Sequence, residues 1–261
     1  FYIVDAKTLY YENSAVVGAN LSGLTILNEQ YGLVTGDGIR RIDLKSLNNV
    51  RIKNERLLCF YNSIIYNGKV LSNDTYKDES KVKYYDVNEL IAAKEGEAPA
   101  VTELDIIQKQ KINFVLAKDG NVYTLESADN GCNIVKIKND FTLEKVFANF
   151  QPAKGPYHSS PTIGMVASET ENIIYLVSTD GAIYKYILGD SDSLKAPFIA
   201  AESGVSITAP LQLNQQSGEL YVTYTEERKD ESKIVVYSKD GKVLHTVDCG
   251  ESVPSQILFN N

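Results

Sequence analysis

His158 and His245 are the only two histidines in the 261 residues, so acid–base chemistry near neutral pH has few carriers here. His158 stands in Lys154-Gly155-Pro156-Tyr157-His158-Ser159-Ser160-Pro161, where a phenol, an imidazole and a hydroxyl follow one another. In a loop facing a cavity, such a trio could hold a ligand, and the imidazole could serve as a general base. The competing reading is a turn histidine bonded to a backbone carbonyl. Tyr157, His158 and Ser159 are therefore the candidate ligand-binding residues. No catalytic residue follows from them. Sequence neighbours do not make a charge relay, and the Gly-x-Ser-x-Gly elbow of serine hydrolases is absent. His245 alternates with Leu244 and Val247 in a β-type run and reads as part of a solvated face.

Metal chemistry needs clustered donors. Cys59, Cys132 and Cys249 form no Cys-x-x-Cys and have no histidine at ligand spacing. An odd number leaves at least one free thiol, and all three read as small buried apolar groups. Asp190-Ser191-Asp192-Ser193-Leu194 begins like a calcium loop, then puts Leu where a third oxygen ligand belongs and lacks the closing Glu. It reads as a surface turn, and neither a metal nor a cofactor is expected. A net charge of −8, with no basic stripe, argues against nucleic acid as a partner. No run of 18 apolar residues occurs, so no integral membrane segment is expected. The numbering begins at Phe1 without Met and without a signal-like segment. A removed leader, anchor or further domain is therefore expected, with envelope anchoring as one consequence.

The elements that must position any site are strands. Four Asp-Gly dipeptides, Asp37-Gly38, Asp119-Gly120, Asp180-Gly181 and Asp240-Gly241, each sit between two β-rich runs. Such dipeptides predict type I′ hairpin turns, with φ > 0 at both residues. Their spacing fits a unit of about 40–45 residues whose turns fall at different corners, the period of a four-stranded propeller blade. The helical exception is short, about two turns over residues 87–94. A second internal match pairs residues 68–85 with 218–237: a strand, a Lys-Asp-Glu-Ser-Lys tip (Lys77 to Lys81, Lys229 to Lys233) and a returning strand. Units then fall at 21–53, 54–104, 105–150, 151–204 and 205–250. The strands left over at the two ends would form one more. The expectation is an all-β, six-bladed β-propeller of four-stranded blades, a single domain over 1–261, with the last blade closed by N- and C-terminal strands. Closure of this kind removes exposed edges. Five or seven blades follow if one unit is miscounted.

The fourth unit carries a family likeness. Ser159-Ser160-Pro161, followed by Tyr175-Leu176-Val177-Ser178-Thr179-Asp180-Gly181-Ala182-Ile183-Tyr184, resembles the blade repeat of PQQ-like β-propellers. Thr208-Ala209-Pro210 with Leu220-Tyr221-Val222-Thr223-Tyr224 is a looser copy, and the resemblance is clearest over residues 159–224. Enzymes of that family use Trp for blade docking and for stacking on the quinone, and this chain has none. The resemblance thus implies the fold without the cofactor, and the non-enzymatic scaffold members, such as envelope assembly lipoproteins, are the better analogy. It implies an extracytoplasmic binding or scaffold module that recognises a protein or glycan partner through one rim face. The alternative is a glycan-active hydrolase or lyase with carboxylates at the channel mouth, for which Asp5, Glu103 and Asp105 are candidates that no spacing singles out.

Overall fold

Runs of β-branched and aromatic residues broken by Gly, Asn and Asp favour short strands joined by tight turns. The computed structural model describes residues 2–4, 11–14, 23–36, 38–53, 63–73, 80–97, 99–108, 113–153, 164–226, 231–254, 257 and 259. The chain divides into two compact units, Phe1–Lys109 and Gln110–Asn261.

In the first unit, β1 (Tyr2–Val4) and β2 (Tyr11–Ser14) form a two-stranded antiparallel sheet. A four-stranded antiparallel meander follows: β3 (Gly23–Ile26), β4 (Tyr31–Gly36), β5 (Gly38–Asp43) and β6 (Asn49–Lys53). A second comprises β7 (Ile64–Tyr66), β8 (Lys69–Asn73), β9 (Ser80–Asp86) and β10 (Val101–Gln108). Helix α1 (Val87–Ala92) interrupts this meander close to where the sequence predicts two helical turns. Its cap is Asp86, whose carboxylate accepts from the Asn88 and Glu89 N–H groups and holds Lys69 at 2.7 Å. Leu90, the buried residue of α1, joins Leu27, Leu33, Ile39, Ile52, Val70 and Tyr85 in a core shared by the two sheets.

The second unit repeats the scheme. β11 (Val115–Leu116), β12 (Val122–Ala128), β13 (Gly131–Ile137) and β14 (Leu143–Phe150) form one meander. The next has three strands, β15 (Met165–Ala167), β16 (Ile173–Val177) and β17 (Ile183–Ile187). A fourth is reduced to a bridge, in which the Ile183 N–H donates to the Ile199 carbonyl at 2.9 Å. The last sheet contains β18 (Val205–Ile207), β19 (Gln212–Leu213), β20 (Leu220–Glu226), β21 (Ser232–Tyr237) and β22 (Val243–Gly250). Both β18 and β19 lie along β20, so its first strand is split by residues 208–211. Pro210, which has no N–H for a ladder, sits in that break.

Packing between these sheets explains why β16 is apolar at every position. Ile174 and Leu176 enter the core shared with the β11–β14 sheet, whereas Ile173, Tyr175 and Val177 enter the core shared with the β18–β22 sheet. A strand covered on both faces loses the alternation of a half-exposed one. Two side-chain amides fasten β15 to its neighbours. Asn113 donates to the Met165 carbonyl (2.6 Å) and accepts from the Met165 N–H (3.0 Å). Gln215 does the same for the Ala167 carbonyl (3.0 Å) and the Glu169 N–H (2.8 Å).

The predicted units 21–53, 151–204 and 205–250 each hold one of these sheets, whereas β10 runs across the expected boundary at 104/105, so the second sheet ends later and the third begins later than predicted. The duplicated hairpins are β8–β9 and β20–β21, internal hairpins of their sheets. The turn chemistry differs from expectation. Gly120, Gly181 and Gly241 have φ of +73°, +85° and +78°, but Asp119, Asp180 and Asp240 are not among the positive-φ residues. These are three-residue loops. The Gly181 N–H donates to the Ser178 carbonyl, and the Ser178 N–H to the Ala182 carbonyl, both at 2.9 Å. The same pair closes the loops at Ala117 and Ser238. Such a loop needs positive φ only at its last residue, which frees the Asp carboxylate to accept the N–H two residues on, as Asp119 does from Asn121 at 3.1 Å. The type I′ geometry occurs instead at Asn67-Gly68, with φ of +47° and +71° between β7 and β8. Asp37 lies outside the described residues.

No sheet among the described residues joins the two termini. Beyond Gly250 the described residues form no strand but lie along β20 and β21. Ser232 donates to the Ser252 carbonyl, Thr223 donates to the Pro254 carbonyl at 3.4 Å, and the Phe259 ring lies 5.0 Å from Tyr221.

Candidate functional site

Tyr157, His158 and Ser159 lie outside the described residues, as do Asp5 and Cys59. His245 sits on the exposed β22, opposite Val236. Glu103 and Asp105 face Lys83 at 3.6 Å and Lys81 at 3.7 Å as cross-strand ion pairs on β10 and β9. The Asp190 carboxylate accepts the Asp192 N–H and caps a single 3-10 turn, Ser191–Leu194. Cys132 is buried, and burial pushes its thiol up to about 11, against a lowering hydrogen bond with Ser127. Cys249 is half-exposed, contrary to the expectation that all three thiols are core groups. Among the described residues no three His, Cys, Asp or Glu side chains group as metal ligands, and no helix is long and apolar enough to cross a membrane.

Among the described residues a cavity of about 490 Å³ lies between the end of β14 and the β16–β17 turn. Its wall begins with a bulge. Ile134 and Cys132 on β13 oppose Phe147 and Phe150 on β14, so three steps on one strand match two on the other. Asn149 takes up the extra residue at φ +61°. Period two would send Phe147 and Phe150 to opposite faces; the bulge lets both line one cleft. Tyr184, from β17, meets Phe150 edge-on, with centroids 5.8 Å apart and planes at 88°. Leu194, 7% exposed, completes the apolar lining.

The rest of the lining is polar: Asn149, Gln151, Ser178, Thr179 and Asp180. The Gln151 amide group donates to the Asn130 carbonyl at 2.6 Å. Thr179 donates its hydroxyl to the Gln151 and Pro152 carbonyls, at 3.1 and 3.2 Å. Asp180 Oδ1 accepts from the Ser178 hydroxyl and from the Ala182 N–H at 3.2 Å. The Ser178 hydrogen bond, then the backbone one, holds the Asp180 carboxyl below the usual range, so it is an anion at neutral pH. The Ser178 hydroxyl therefore donates to a carboxylate within the same turn. Sequence reasoning treats Ser178-Thr179-Asp180-Gly181 as turn punctuation only. The one available signal is two Phe residues three apart in a strand, with Asn between them, which breaks period two.

A family model described as Domain of unknown function (DUF5074) matches residues 1–260. No curated protein matches the chain. Among solved structures, a functionally unknown protein from Desulfotomaculum acetoxidans is 11% identical, with 95% of this chain and 76% of that chain covered and a TM-score of 0.60. The β-propeller domain of Cps50 (Swd1) from Myceliophteria thermophila is 12% identical, covering 97% and 81%, at 0.58. A catalytically inactive virginiamycin B lyase from Staphylococcus aureus with quinupristin is 14% identical, covering 99% and 81%, at 0.53. At such identities the likeness is one of fold alone: a β-propeller-type arrangement of four-stranded antiparallel sheets.

Proposed function

The chain belongs to the family described as Domain of unknown function (DUF5074), and from that premise we propose a non-enzymatic binding propeller that recognises a protein or glycan partner through one rim face. The observation that carries this reading is the cleft of Phe147, Phe150 and Tyr184. Its aromatic walls and fixed acceptors suit recognition. The proposal includes six blades in a single domain over 1–261, the sixth formed by β1, β2 and the C-terminal segment that lies along β20. A location outside the cytoplasm belongs to the same reading and rests on the PQQ-like resemblance of residues 159–224.

Fluorescently labelled protein applied to peptide and glycan arrays tests this. Specific retention that is weakened tenfold or more by Tyr184→Leu is expected. Turnover on a broad glycan and ester panel, lost on His158→Ala or Asp180→Asn, would replace the binding module with the hydrolase or lyase alternative.

A further inference from the structure

We propose that the cleft takes a cationic side chain, the guanidinium or ammonium group of an exposed basic segment on a protein partner; this rests on the binding reading above and names its ligand. Two loops of the chain carry the same motif. Asp119-Gly120-Asn121-Val122-Tyr123 and Asp180-Gly181-Ala182-Ile183-Tyr184 share the same spacing of carboxylate, glycine and tyrosine, and both loops close with the same pair of backbone bonds. In the first, the Lys136 ammonium lies 2.8 Å from Asp119 Oδ2 and 5.8 Å from the Tyr123 ring centroid. The carboxylate and the ring together seat a cation. In the second, Asp180 and Tyr184 face the cleft, and none of the described lining residues is Lys, Arg or His. Lys185 is directed elsewhere: its ammonium lies over the Phe198 ring at 5.2 Å and 3.4 Å from the Lys239 carbonyl.

Two further lining groups offer acceptors. Gln151 gives one of its two amide N–H groups to Asn130 and Thr179 its O–H to backbone carbonyls, and the side-chain oxygen of each keeps lone pairs to accept with. Asp180 has filled Oδ1, and Oδ2 accepts no hydrogen bond from the described residues. An anionic ligand would meet a carboxylate and, among the described lining residues, no countercharge. The net charge of −8 draws cations toward the surface before they find the cleft. The cleft volume of about 490 Å³ accommodates the side chain together with flanking residues.

The test is fluorescence anisotropy with a labelled short peptide carrying one arginine, the same peptide with citrulline in its place, and a labelled neutral oligosaccharide. Expected are binding of the arginine peptide, at least a tenfold loss with citrulline, and weakening as salt rises from about 50 to about 500 mM. Asp180→Asn should lose about tenfold and Tyr184→Leu several-fold. Asp192→Asn, which removes the same charge from an exposed site outside the cleft lining, should leave affinity unchanged. The amide oxygen introduced by Asp180→Asn can still accept from the Ala182 N–H, and an unchanged melting temperature establishes that the turn survives. Equal affinity for arginine and citrulline, or equal loss with Asp192→Asn and Asp180→Asn, overturns the cation assignment. Tyr184-dependent binding of the oligosaccharide without the peptide ends the cation proposal and leaves the binding reading standing. Tight binding of any probe that ignores both Asp180 and Tyr184 removes the cleft from both.

Discussion

Replacing Gly131 by Ala should be among the more damaging single-methyl additions in the molecule. Gly131 starts β13 opposite Ala128, with φ of +121°, where side-chain-bearing residues are rare. A Cβ at this position would lie 2.6 Å from the Phe150 carbonyl oxygen and 2.4 Å from Gln151 Nε2. The Gln151 amide can swing away only by releasing the Asn130 carbonyl, and the Phe150 carbonyl belongs to backbone that must move as a whole. Backbone strain of about 1–3 kcal/mol, a lost hydrogen bond of about 1 and crowding of about 1–3 together suggest a cost of about 3–7 kcal/mol. For a chain of this size that lowers the melting temperature by roughly 6–28 °C. Gly181 supplies the control. Its φ is +85°, but no atom lies within 4 Å of the place its Cβ would occupy. Gly181→Ala should therefore cost about 1–2 kcal/mol from backbone strain alone. Circular-dichroism melting of both variants, with urea unfolding to check that the m-value is unchanged, reads the difference. If Gly131→Ala is no worse than Gly181→Ala, the close approach of Phe150 and Gln151 is misjudged. Because both residues line the cleft, Gly131→Ala should also weaken ligand retention, which Gly181→Ala should do less.

Asp119→Asn should cost about 1–2 kcal/mol at neutral pH by weakening the acceptor of Lys136 at 2.8 Å and of the Tyr123 hydroxyl at 2.9 Å. Burial raises the Asp119 pKa, but the hydrogen bonds with Lys136, Asn121 and Tyr123 outweigh it and hold the carboxyl below its ordinary value. Its stabilising contribution is therefore complete above the unfolded carboxylate pKa and disappears as pH falls through the lower folded value. The gap between wild type and variant should narrow as pH falls through and below the ordinary Asp value of about 4, and a pH-independent gap would contradict the ion pair. Ile174→Ala, at 0% exposure between two sheets, should cost about 2–5 kcal/mol. On the next strand Ile187→Ala, at 44% exposure, should stay within about 0.5 kcal/mol, and similar losses at both would deny that β16 is the covered strand. Deleting residues 252–261 removes the cover over Thr223, Tyr221 and Ser232, and aggregation on size-exclusion chromatography is expected; an unchanged monomer with unchanged melting would remove the C-terminal segment from any closing blade.

Period-two patterning, Gly and Asn punctuation and the duplicated Lys-Asp-Glu-Ser-Lys hairpin were enough, by themselves, to place five sheets and one short helix. Strand formation and turn position are local properties, set by residues within a few positions of one another. The positive φ of Gly181 and Gly241 belongs to the same class. Their loop type does not, because Asp-Gly is compatible with a two-residue and a three-residue loop, and strand register selects between them. The cleft was further out of reach. Phe147 and Phe150 share a face only because β14 bulges against β13, and Asp180 meets that face only because the β16–β17 turn packs beside β14. The matched spacing of Asp119 with Tyr123 and Asp180 with Tyr184 is written in the chain. Whether a lysine fills the seat between them depends on which strand lies alongside: β13 brings Lys136 to Asp119, while β14 of the neighbouring sheet brings aromatic rings to Asp180. Contacts between sheets join residues far apart in sequence, where side-chain volume and strand register act together, and no local pattern encodes that sum.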